Sequence, residues 1–491
     1  MSTSLEGWAR LVYRYRTRPT QLDQVHALLV TTGFFFLPWT LCHSSPSPEE
    51  EDRGGSVFVY NILIAGSLLR ERRPDGGPTA LRLFIQMLAQ QTRPNGYTFP
   101  PLVKSITSSP RVSTGRAVHA QLVRRGLVAD NFVNSGMVKF YAQSGEVTAA
   151  RKVFDENPRP DVASCNAMLD SLCKNRDVGS AKMIFDGVRF RDVVSWTTLI
   201  NGFLVNGLPE EAIRLFRDMA TGRGGVAPPP RPNEATLVCA LSACASSLRL
   251  PLLAGKQLHG YILRRGVRLT AFLGTALVDM YGKRGRARCA ANVFEAMAER
   301  EVCTWNAMIS ALACNGEEAR ALGVFGAMAA HGVRPNGVTF VAALTACARA
   351  RLVDAGMALF ASMPRDHGIA PAMEHCGCVV DLLGRAALLD EAAEFIEGMP
   401  FAADASVWGA LLGACRLHGN TALAAVAGAR LLALQPRHAG RYAVLWNTYA
   451  GVGMWGSAAR LKESMERAGV TKTAGCSWLE TTPAAAAAAQ S

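Results

Sequence analysis

The stretch "VCTWNAMISALACNGEEARALGVFGAMAAHGVRPN" (302–336) predicts a hairpin of two helices. Trp305, Ile309 and Leu312 follow one another at helical spacing, so their apolar side chains share one face of a helix. Gly316 marks the end of that helix, and a second apolar stripe follows it. A hairpin of this length is too small to bury both stripes, so neighbouring segments must cover them.

The same plan recurs along the chain with uneven spacing. "VVSWTTLINGFLVNG" (193–207) repeats the first helix and places Trp196 where the later copy has Trp305. Three repeats of unequal length fill the interval between these tryptophans, which indicates a triplet of repeat types. Ten hairpin repeats are predicted, at 57–95, 96–130, 131–161, 162–192, 193–233, 234–270, 271–301, 302–336, 337–372 and 373–404. The predicted fold class is therefore all-α, an α-solenoid in which each hairpin covers the next.

The N-terminal end of the chain differs from the repeats. Its first twenty residues contain four arginines and one acidic residue, which is typical of an organellar transit peptide. We expect 1–56 to comprise this targeting peptide, a degenerate repeat at 21–42 and a linker at 43–55. The arginine content favours the mitochondrion, with the chloroplast as the alternative. An ordinary solvated N-terminus is the other interpretation.

Composition limits the kinds of partner and compartment. The formal net charge of +13 favours an anionic partner, either a polyanion or an acidic membrane surface. The thirteen cysteines form no C-x-x-C pair and mostly occupy core positions of helices, which indicates free thiols in a reducing compartment. The most apolar segment near the N-terminus is interrupted by Thr, Gly and Pro, so no membrane-spanning helix is predicted.

Several phrases resemble the pentatricopeptide repeat family, in its plant PLS subclass. They include "GKQLHGYILRRG" (255–266) and "SVWGALLGACRLHGN" (406–420). The resemblance implies a right-handed α-solenoid, with 57–404 as the repeat array. Residues 405–480 resemble the E-type extension of that subclass, which leaves 481–491 as a disordered tail. The tetratricopeptide repeat is the structural rival, but the chain lacks the single regular period of that repeat.

Two polar positions recur in register in six of the repeats, and the family uses this pair to read one RNA base. The fifth and last residues form the pairs Asn61 with Asn95, Ser135 with Asp161, Asn166 with Asp192, Thr197 with Asn233, Thr275 with Glu301, and Asn306 with Asn336. An apolar second residue would pack against the base, and the matching residues are Phe58, Phe132, Ala163, Val194, Phe272 and Cys303. Helix capping is the alternative explanation, since Ser, Thr, Asn and Asp are favoured at helix starts.

The family's code assigns bases to most of these pairs. By that code the repeats 131–161, 162–192 and 193–233 would read 5′-G-U-A-3′, and 57–95 and 302–336 would prefer pyrimidines. Glu301 departs from the usual Asn or Asp at the last place, so its pair with Thr275 carries no assignment.

The remaining repeats and the basic residues have other expected roles. Long repeats carry Pro100, Val238 or Val341 at the fifth place and should read bases poorly. Basic residues near the turns are candidates for phosphate contacts, with a solvated face as the alternative: Arg124, Arg125, Arg264, Arg265, Lys283 and Arg284.

We expect no catalytic residue, no cofactor and no metal. A zinc deaminase needs a metal-binding His or Cys followed two places later by Glu, and then a C-x-x-C pair. None of the nine histidines is followed by Glu at that distance. "EHCGC" (374–378) falls at a helix start, where its spacing lets few of these side chains converge. The chain is therefore expected not to be an enzyme.

The resemblance implies an adaptor that binds single-stranded organellar RNA and selects sites for C-to-U editing. Residues 405–480 would recruit a DYW-type deaminase protein in trans, together with multiple organellar RNA editing factors. An RNA splicing, stability or translation factor without an editing role is the alternative. A protein–protein scaffold is the rival from another class, which the recurring polar pairs disfavour.

Overall fold

The computed structural model describes residues 13–14, 24–25, 51–71, 79–108, 111–188, 190–222, 230–247, 249–451 and 453–471. From Glu51 onward these described residues form 24 helices and no strand. They belong to two compact bodies, an N-terminal lobe that ends at Thr236 and a C-terminal lobe that begins at Leu237. The predicted targeting peptide and the predicted tail lie outside the described residues, apart from 13–14 within the former.

Helices α1 to α11 begin in the N-terminal lobe. They are α1 (Glu51–Glu71), α2 (Thr79–Ala89), α3 (Phe99–Ser108), α4 (Val112–Arg124), α5 (Asn131–Gln143), α6 (Val147–Asp155), α7 (Val162–Lys174), α8 (Val178–Gly187), α9 (Val193–Val205), α10 (Pro209–Thr221) and α11 (Glu234–Ser246).

Helices α12 to α24 belong to the C-terminal lobe. They are α12 (Leu252–Arg264), α13 (Ala271–Lys283), α14 (Ala287–Ala296), α15 (Val302–Cys314), α16 (Glu318–Ala330), α17 (Gly337–Ala350), α18 (Val353–Asp366), α19 (Met373–Arg385), α20 (Leu389–Glu397), α21 (Ala405–His418), α22 (Thr421–Leu434), α23 (Ala439–Gly451) and α24 (Trp455–Arg467).

Each of the ten predicted repeats contains one pair of helices, and the segment after them contains α21 to α24. From α5 onward, the first helix of a repeat begins at the residue predicted to begin that repeat. Gly316 follows the end of α15 with a φ of 80°, a conformation that favours glycine. The segment 43–55 differs from its predicted linker, because α1 already begins at Glu51. Acidic residues at 51 and 52 are favourable at the positive end of a helix dipole.

First helices of successive repeats pack side by side within each lobe, α1, α3, α5, α7 and α9 in one and α13, α15, α17, α19 and α21 in the other. Small residues let these helices approach closely. A Cβ added at Gly282 would lie 2.6 Å from the Cβ of Ala311, and one at Gly384 would lie 2.5 Å from the Cβ of Ala414. In the predicted repeats other than 234–270, the second helix packs against the first helix of its own repeat, so the two apolar stripes are covered as predicted.

The two recurring tryptophans hold equivalent junctions between repeats. Trp196 packs edge-on against Phe185 with a centroid distance of 5.0 Å, and Trp305 packs against Phe294 at the same distance. An arginine guanidinium stacks on the phenylalanine ring in both places, 4.7 Å from its centroid. Aromatic and cation–π contacts of this kind each contribute about 1 kcal/mol. The tryptophan-containing motif therefore recurs because the same buried contact between neighbouring repeats forms at both places.

Cysteines in the described residues are free thiols, and most of them are buried or half-buried. Burial raises the pKa of Cys165, Cys173 and Cys415 to about 11, so these thiols stay protonated at neutral pH and act as small apolar core residues. Among the described helices, none has the length and apolar character needed to cross a bilayer.

Candidate functional site

The last residue of a repeat caps the first helix of the next repeat. Asp161 accepts the Ser164 N–H at 2.8 Å, Asp192 accepts the Ser195 N–H at 2.7 Å, and Asn336 accepts the Thr339 N–H at 3.0 Å. Helix capping therefore accounts for one oxygen of each of these side chains. The rest of each side chain stays at the surface, since Asp192 and Asn336 are exposed.

Asn306 and Asn336 form a closed hydrogen-bond network with Thr339. The Asn306 Nδ2 donates to the Asn336 Oδ1 at 3.2 Å, and the Thr339 hydroxyl donates to the Asn306 Oδ1 at 2.7 Å. The Thr339 hydroxyl also accepts the backbone N–H of Asn336 at 3.0 Å. Capping alone does not require Asn306, so the fifth residue is held by its partner at the last place.

Asn61 and Asn95 repeat this arrangement in the N-terminal lobe. The Asn61 Nδ2 donates to the Asn95 Oδ1 at 3.0 Å, and the Thr98 hydroxyl donates to the Asn61 Oδ1 at 2.6 Å. The two asparagine pairs therefore have the same geometry although they belong to different lobes.

Asn166 and Asp192 form a mixed pair of amide and carboxylate. The Asn166 Nδ2 donates to the Asp192 Oδ1 at 3.2 Å, and the Ser195 hydroxyl donates to the same oxygen at 2.9 Å. Burial tends to raise the pKa of the Asp192 carboxyl, but hydrogen bonds from Ser195 and Asn166 outweigh it and hold the pKa below its ordinary value. Asp192 is therefore an ionised acceptor at neutral pH, and the Asn166 and Ser195 hydrogen bonds all reach its Oδ1.

Thr197 and Asn233 are joined through a third residue. The Thr236 hydroxyl lies 2.7 Å from the Thr197 hydroxyl and 2.8 Å from the Asn233 Oδ1. The Thr197 hydroxyl also donates to the Val193 carbonyl at 2.8 Å, as is common for threonine within a helix.

In the remaining two predicted pairs, the members are joined neither directly nor through a bridging hydroxyl among the described residues. The Ser135 hydroxyl donates to the Phe132 carbonyl of its own helix at 3.2 Å, while Asp161 caps α7. The Thr275 hydroxyl contacts Thr304 at 2.8 Å, and the Glu301 side chain makes no capping hydrogen bond. Glutamate is one methylene longer than the usual capping residues, which explains why its carboxylate does not take the capping position.

The six second-place residues are all exposed. The phenylalanines among them expose a large part of their rings, 79% for Phe132 and 65% for Phe272. Two long repeats, which sequence reasoning set aside because of their fifth residues, also expose an apolar second residue. These are Tyr97, which is 81% exposed, and Val338, which is 62% exposed. Their second place in the repeat, which they share with the six predicted residues, is the sequence signal that could have identified them.

The candidate phosphate-binding residues divide into two groups. Arg124 and Arg264 are exposed and end α4 and α12, a few residues before the start of the next first helix. Lys283 and Arg284 instead lie at the far end of α13, about 18 Å along the helix axis from its first residue. Arg284 donates to the Ser247 carbonyl at 2.6 Å, and Lys283 is ion-paired with Asp279 at 2.8 Å. Lys283 and Arg284 therefore also serve local structure, and their contact with phosphate stays a prediction.

Among the described residues, no cluster of three or more His, Cys, Asp or Glu side chains could hold a metal ion. Within "EHCGC", both ring nitrogens of His375 have backbone partners. Nε2 lies 2.9 Å from the Gly337 carbonyl, and Nδ1 lies 3.0 Å from the Ala372 nitrogen. This histidine ties the start of α19 to α17.

Family models match several parts of the chain. A PPR repeat model matches residues 163–193, 194–221 and 275–302, and a pentatricopeptide repeat domain model matches 299–350. An E motif model matches 418–480. These matches cover both the repeats and the segment that follows them.

Similar proteins are found in Arabidopsis thaliana. A putative pentatricopeptide repeat-containing protein is 42% identical, with 96% of each chain covered. The chloroplastic pentatricopeptide repeat-containing protein CRR2 is 36% identical over 88% of this chain and 60% of its own length. A mitochondrial pentatricopeptide repeat-containing protein is 34% identical over 79% of this chain and 56% of its own. The chain thus spans little more than half the length of the last two.

The fold resembles that of a solved structure. The crystal structure of the maize pentatricopeptide repeat protein PPR10 has a TM-score of 0.53 and 16% identity, and covers 95% of this chain and 73% of that one. With the helical hairpins, the matched models and a relative similar over nearly its whole length, the chain belongs to the pentatricopeptide repeat family and carries its E motif.

Proposed function

We propose that the chain is a sequence-specific, single-stranded RNA-binding adaptor that selects sites for C-to-U editing in a plant organelle. The observation that carries the proposal is the recurring polar pair, held at the start of successive first helices beside an exposed second residue. Repeats of this family read one base each through two or three side chains. Capping leaves polar atoms of each pair without partners among the described residues, and these atoms are available to a base.

The free atoms of the Asn166/Asp192 pair suit uracil. Asn166 retains one N–H after bonding Asp192, and the Asn166 and Ser195 hydrogen bonds leave the Asp192 Oδ2 out. Uracil offers an N3–H donor flanked by carbonyl acceptors, which complements one donor and one acceptor. The Asp161 carboxylate has the same spare acceptor, and guanine offers N1–H and N2–H donors to it. These matches support the assignment of G followed by U.

The asparagine-ended pairs suit other bases. In the Asn306/Asn336 pair both Oδ1 atoms are engaged, so only amide N–H groups remain. Cytosine places the acceptors N3 and O2 side by side, so it is favoured over uracil, whose N3–H would face another donor. The Asn233 amide likewise keeps donors for the N1 acceptor of adenine, beside Thr197. These matches support A at 193–233 and a pyrimidine, most favourably cytosine, at 302–336.

The second residues supply affinity that depends little on sequence. Bases that stack on exposed aromatic side chains gain about 1–3 kcal/mol each. Phe58, Tyr97 and Phe132 place three such rings in consecutive repeats, and Phe272 adds one in the C-terminal lobe. We expect the long repeat 96–130 to hold a base by stacking without discriminating it.

The E motif supports the editing role. It covers α22 to α24, where Trp446, Met454 and Trp455 are exposed apolar side chains. Exposed aromatic residues are enriched where proteins bind partners. In the proposed mechanism this segment recruits a DYW-type deaminase and multiple organellar RNA editing factors, while the repeats position the transcript. We favour the mitochondrion as the organelle, with the chloroplast as the alternative. The similar Arabidopsis proteins include one named chloroplastic and one named mitochondrial.

Sequencing of organellar RNA from a plant line that lacks the protein tests this function. We expect one or a few cytidines to remain unedited, each preceded by a 5′-G-U-A-3′ element that the repeats can reach. Re-expression of the full chain should restore editing at those sites. Unspliced introns or lost transcripts with editing intact would instead support the splicing or stability role.

A further inference from the structure

A buried hydroxyl follows every polar pair in the chain. The third residue of the next repeat is Thr or Ser after all six pairs, namely Thr98, Ser164, Ser195, Thr236, Thr304 and Thr339. All six side chains are buried. Where the fifth residue is Pro100, Val238 or Val341 in a long repeat, the corresponding third residue is Val133, Leu273 or His375. The third-place hydroxyl therefore accompanies the polar fifth residue, and not helix starts in general.

The type of hydroxyl also follows the last residue of the pair. Serine stands after Asp161 and Asp192, while threonine stands after Asn95, Asn233, Glu301 and Asn336. All four threonine hydroxyls reach the fifth residue, at 2.6 Å for Asn61, 2.7 Å for Asn306 and Thr197, and 2.8 Å for Thr275. The Ser195 hydroxyl instead donates to the last residue, Asp192. Thr98, Thr236 and Thr339 also contact the last residue, and the Ser164 hydroxyl has no hydrogen-bond partner among the described residues. Contact with the fifth residue therefore distinguishes the threonines from the serines.

The hydrogen bonds at Thr339 determine the orientation of two side-chain amides, first that of Asn336 and then that of Asn306. The Thr339 backbone N–H can only donate, so the atom of Asn336 that faces it must be Oδ1. The atom of Asn306 that faces this oxygen must then be Nδ2, which directs the Asn306 Oδ1 to the Thr339 hydroxyl. That hydroxyl accepts the Asn336 N–H and donates to the Asn306 Oδ1 at 2.7 Å, with the Asn336 Oδ1 as a more distant acceptor at 3.0 Å. The orientation of Asn306 therefore depends on a donor from the neighbouring repeat.

We propose that the third-place threonines, represented by Thr339 and Thr98, are positioning residues that determine which atoms of the fifth residue face the RNA base. The inference rests on the proposed base-reading function. With Oδ1 bonded to the hydroxyl, the Asn306 amide presents only N–H donors. Without the hydroxyl the Asn306 Oδ1 loses its donor and only the hydrogen bond to Asn336 holds the amide, so Oδ1 can turn toward the base and accept the N3–H of uracil. Base preference is therefore set by three residues from two repeats.

Substitution of Thr339 tests the proposal with single-stranded RNAs of about 12 nucleotides that contain 5′-G-U-A-3′. The RNAs differ only in the third nucleotide 3′ of the A, which aligns with repeat 302–336. We expect the full chain to bind the C form about fivefold or more tightly than the U form. Thr339→Val, which removes the hydroxyl with little change in volume, should reduce this ratio to about one. Thr339→Ser retains the donor and should keep the ratio within about twofold of the original.

Controls separate positioning from stability and from base reading itself. Asp177→Ala removes a comparable cap at the start of α8, where Asp177 accepts the Ser180 N–H at 3.0 Å. It should lower stability without changing the C-to-U ratio. Asn306→Thr should shift the preference of the same nucleotide toward A.

The outcomes distinguish the two hypotheses. If Asn306→Thr shifts the preference but Thr339→Val does not, the positioning role is overturned while base reading stands. If Thr339→Ser loses the ratio as fully as Thr339→Val, a hydroxyl at this place is not sufficient to set the preference and the positioning proposal is overturned. An unchanged preference in Asn306→Thr contradicts base reading, and with it both proposals.

Discussion

At the scale of single residues, the polar pair has two roles that use different atoms. One oxygen of Asp192 or Asn336 caps a helix, and the remaining atoms stay at the surface. Asp and Asn stabilise a helix start to a similar extent when they cap it. The base that is recognised can therefore change while the helix start is preserved.

The pair Thr197/Asn233 offers a direct test of this separation. Thr197→Asn combined with Asn233→Asp recreates the residues of the uracil-specific pair. We expect the preferred nucleotide at that position to change from A to U, with tenfold or greater reversal of the affinity ratio as an order-of-magnitude estimate from two base-edge hydrogen bonds. Binding to RNAs that differ at this nucleotide measures the change.

The long repeat that follows supplies a matched control. Val238→Ala alters the fifth place of repeat 234–270, where no polar pair is predicted, and should leave every base preference unchanged. If the Thr197/Asn233 double variant keeps its preference for A, the assignment of bases to repeats is wrong by at least one repeat.

The sequence was sufficient to locate the pairs because both members recur at fixed places in each repeat. It did not identify Thr339 or Thr98, since a hydroxyl at the third place of a helix reads as ordinary N-terminal composition. The role of this hydroxyl depends on which side chain of the preceding repeat's first helix lies next to it. Packing between repeats determines that neighbour. The mismatch at Glu301 was visible in the sequence, whereas the separation of Ser135 from Asp161 was not.

At the scale of helices, the array depends on close approach between successive first helices. The twelfth residue of one repeat faces the tenth residue of the next, as with Gly282 and Ala311 or Gly384 and Ala414. A larger residue at either place would separate the helices and change the distance between neighbouring polar pairs. Periodicity predicted these helices well from α5 onward, but α1 extended into the predicted linker because acidic residues favour helix starts.

Gly384→Ala tests the importance of this contact. The new Cβ would lie 2.5 Å from the Cβ of Ala414, so α19 and α21 must move apart. We expect a loss of about 1–3 kcal/mol in the free energy of unfolding, as in other overpacked cores. Urea denaturation followed by circular dichroism measures it.

Two further variants show whether the cause is the contact. The exchange Gly384→Ala with Ala414→Gly restores the space and should return stability to within about 1 kcal/mol of the original chain. Gly413→Ala in α21 meets nothing within 4 Å and should be neutral or slightly stabilising. A loss at Gly413 as large as that at Gly384 would mean that the contact with Ala414 is not the cause of the effect, since alanine has the higher helix propensity.

At the scale of the whole molecule, the basic residues that give the net charge of +13 have different surroundings. Lys174 and Lys283 stand at the C-terminal ends of first helices and are paired with Asp170 and Asp279. Arg124 and Arg264 are exposed near the ends where the polar pairs lie. Net charge alone predicted an anionic partner, but only the structure distinguishes these two groups of cations.

Salt dependence of RNA binding tests this division. Each phosphate contact contributes about 0.7 to the slope of log affinity against log salt for single strands. Arg124→Gln with Arg264→Gln should weaken binding equally for all RNA sequences and reduce the slope by about 1.4. The matched double variant Lys174→Gln with Lys283→Gln removes the same charge and should leave the slope nearly unchanged. Equal slopes for both double variants would indicate that only overall charge matters.

The third-place hydroxyl also bears on how these proteins can be re-engineered or can diverge. A complete recognition cassette does not coincide with one hairpin, because its last component belongs to the following hairpin. Grafting Val302–Asn336 into another array would leave Thr339 behind, and the transplanted asparagines would meet whatever side chain the host supplies. A graft extended through Thr339 would include the hydroxyl that orients Asn306. The best boundary for exchanging repeats therefore lies within the next helix, after its third residue.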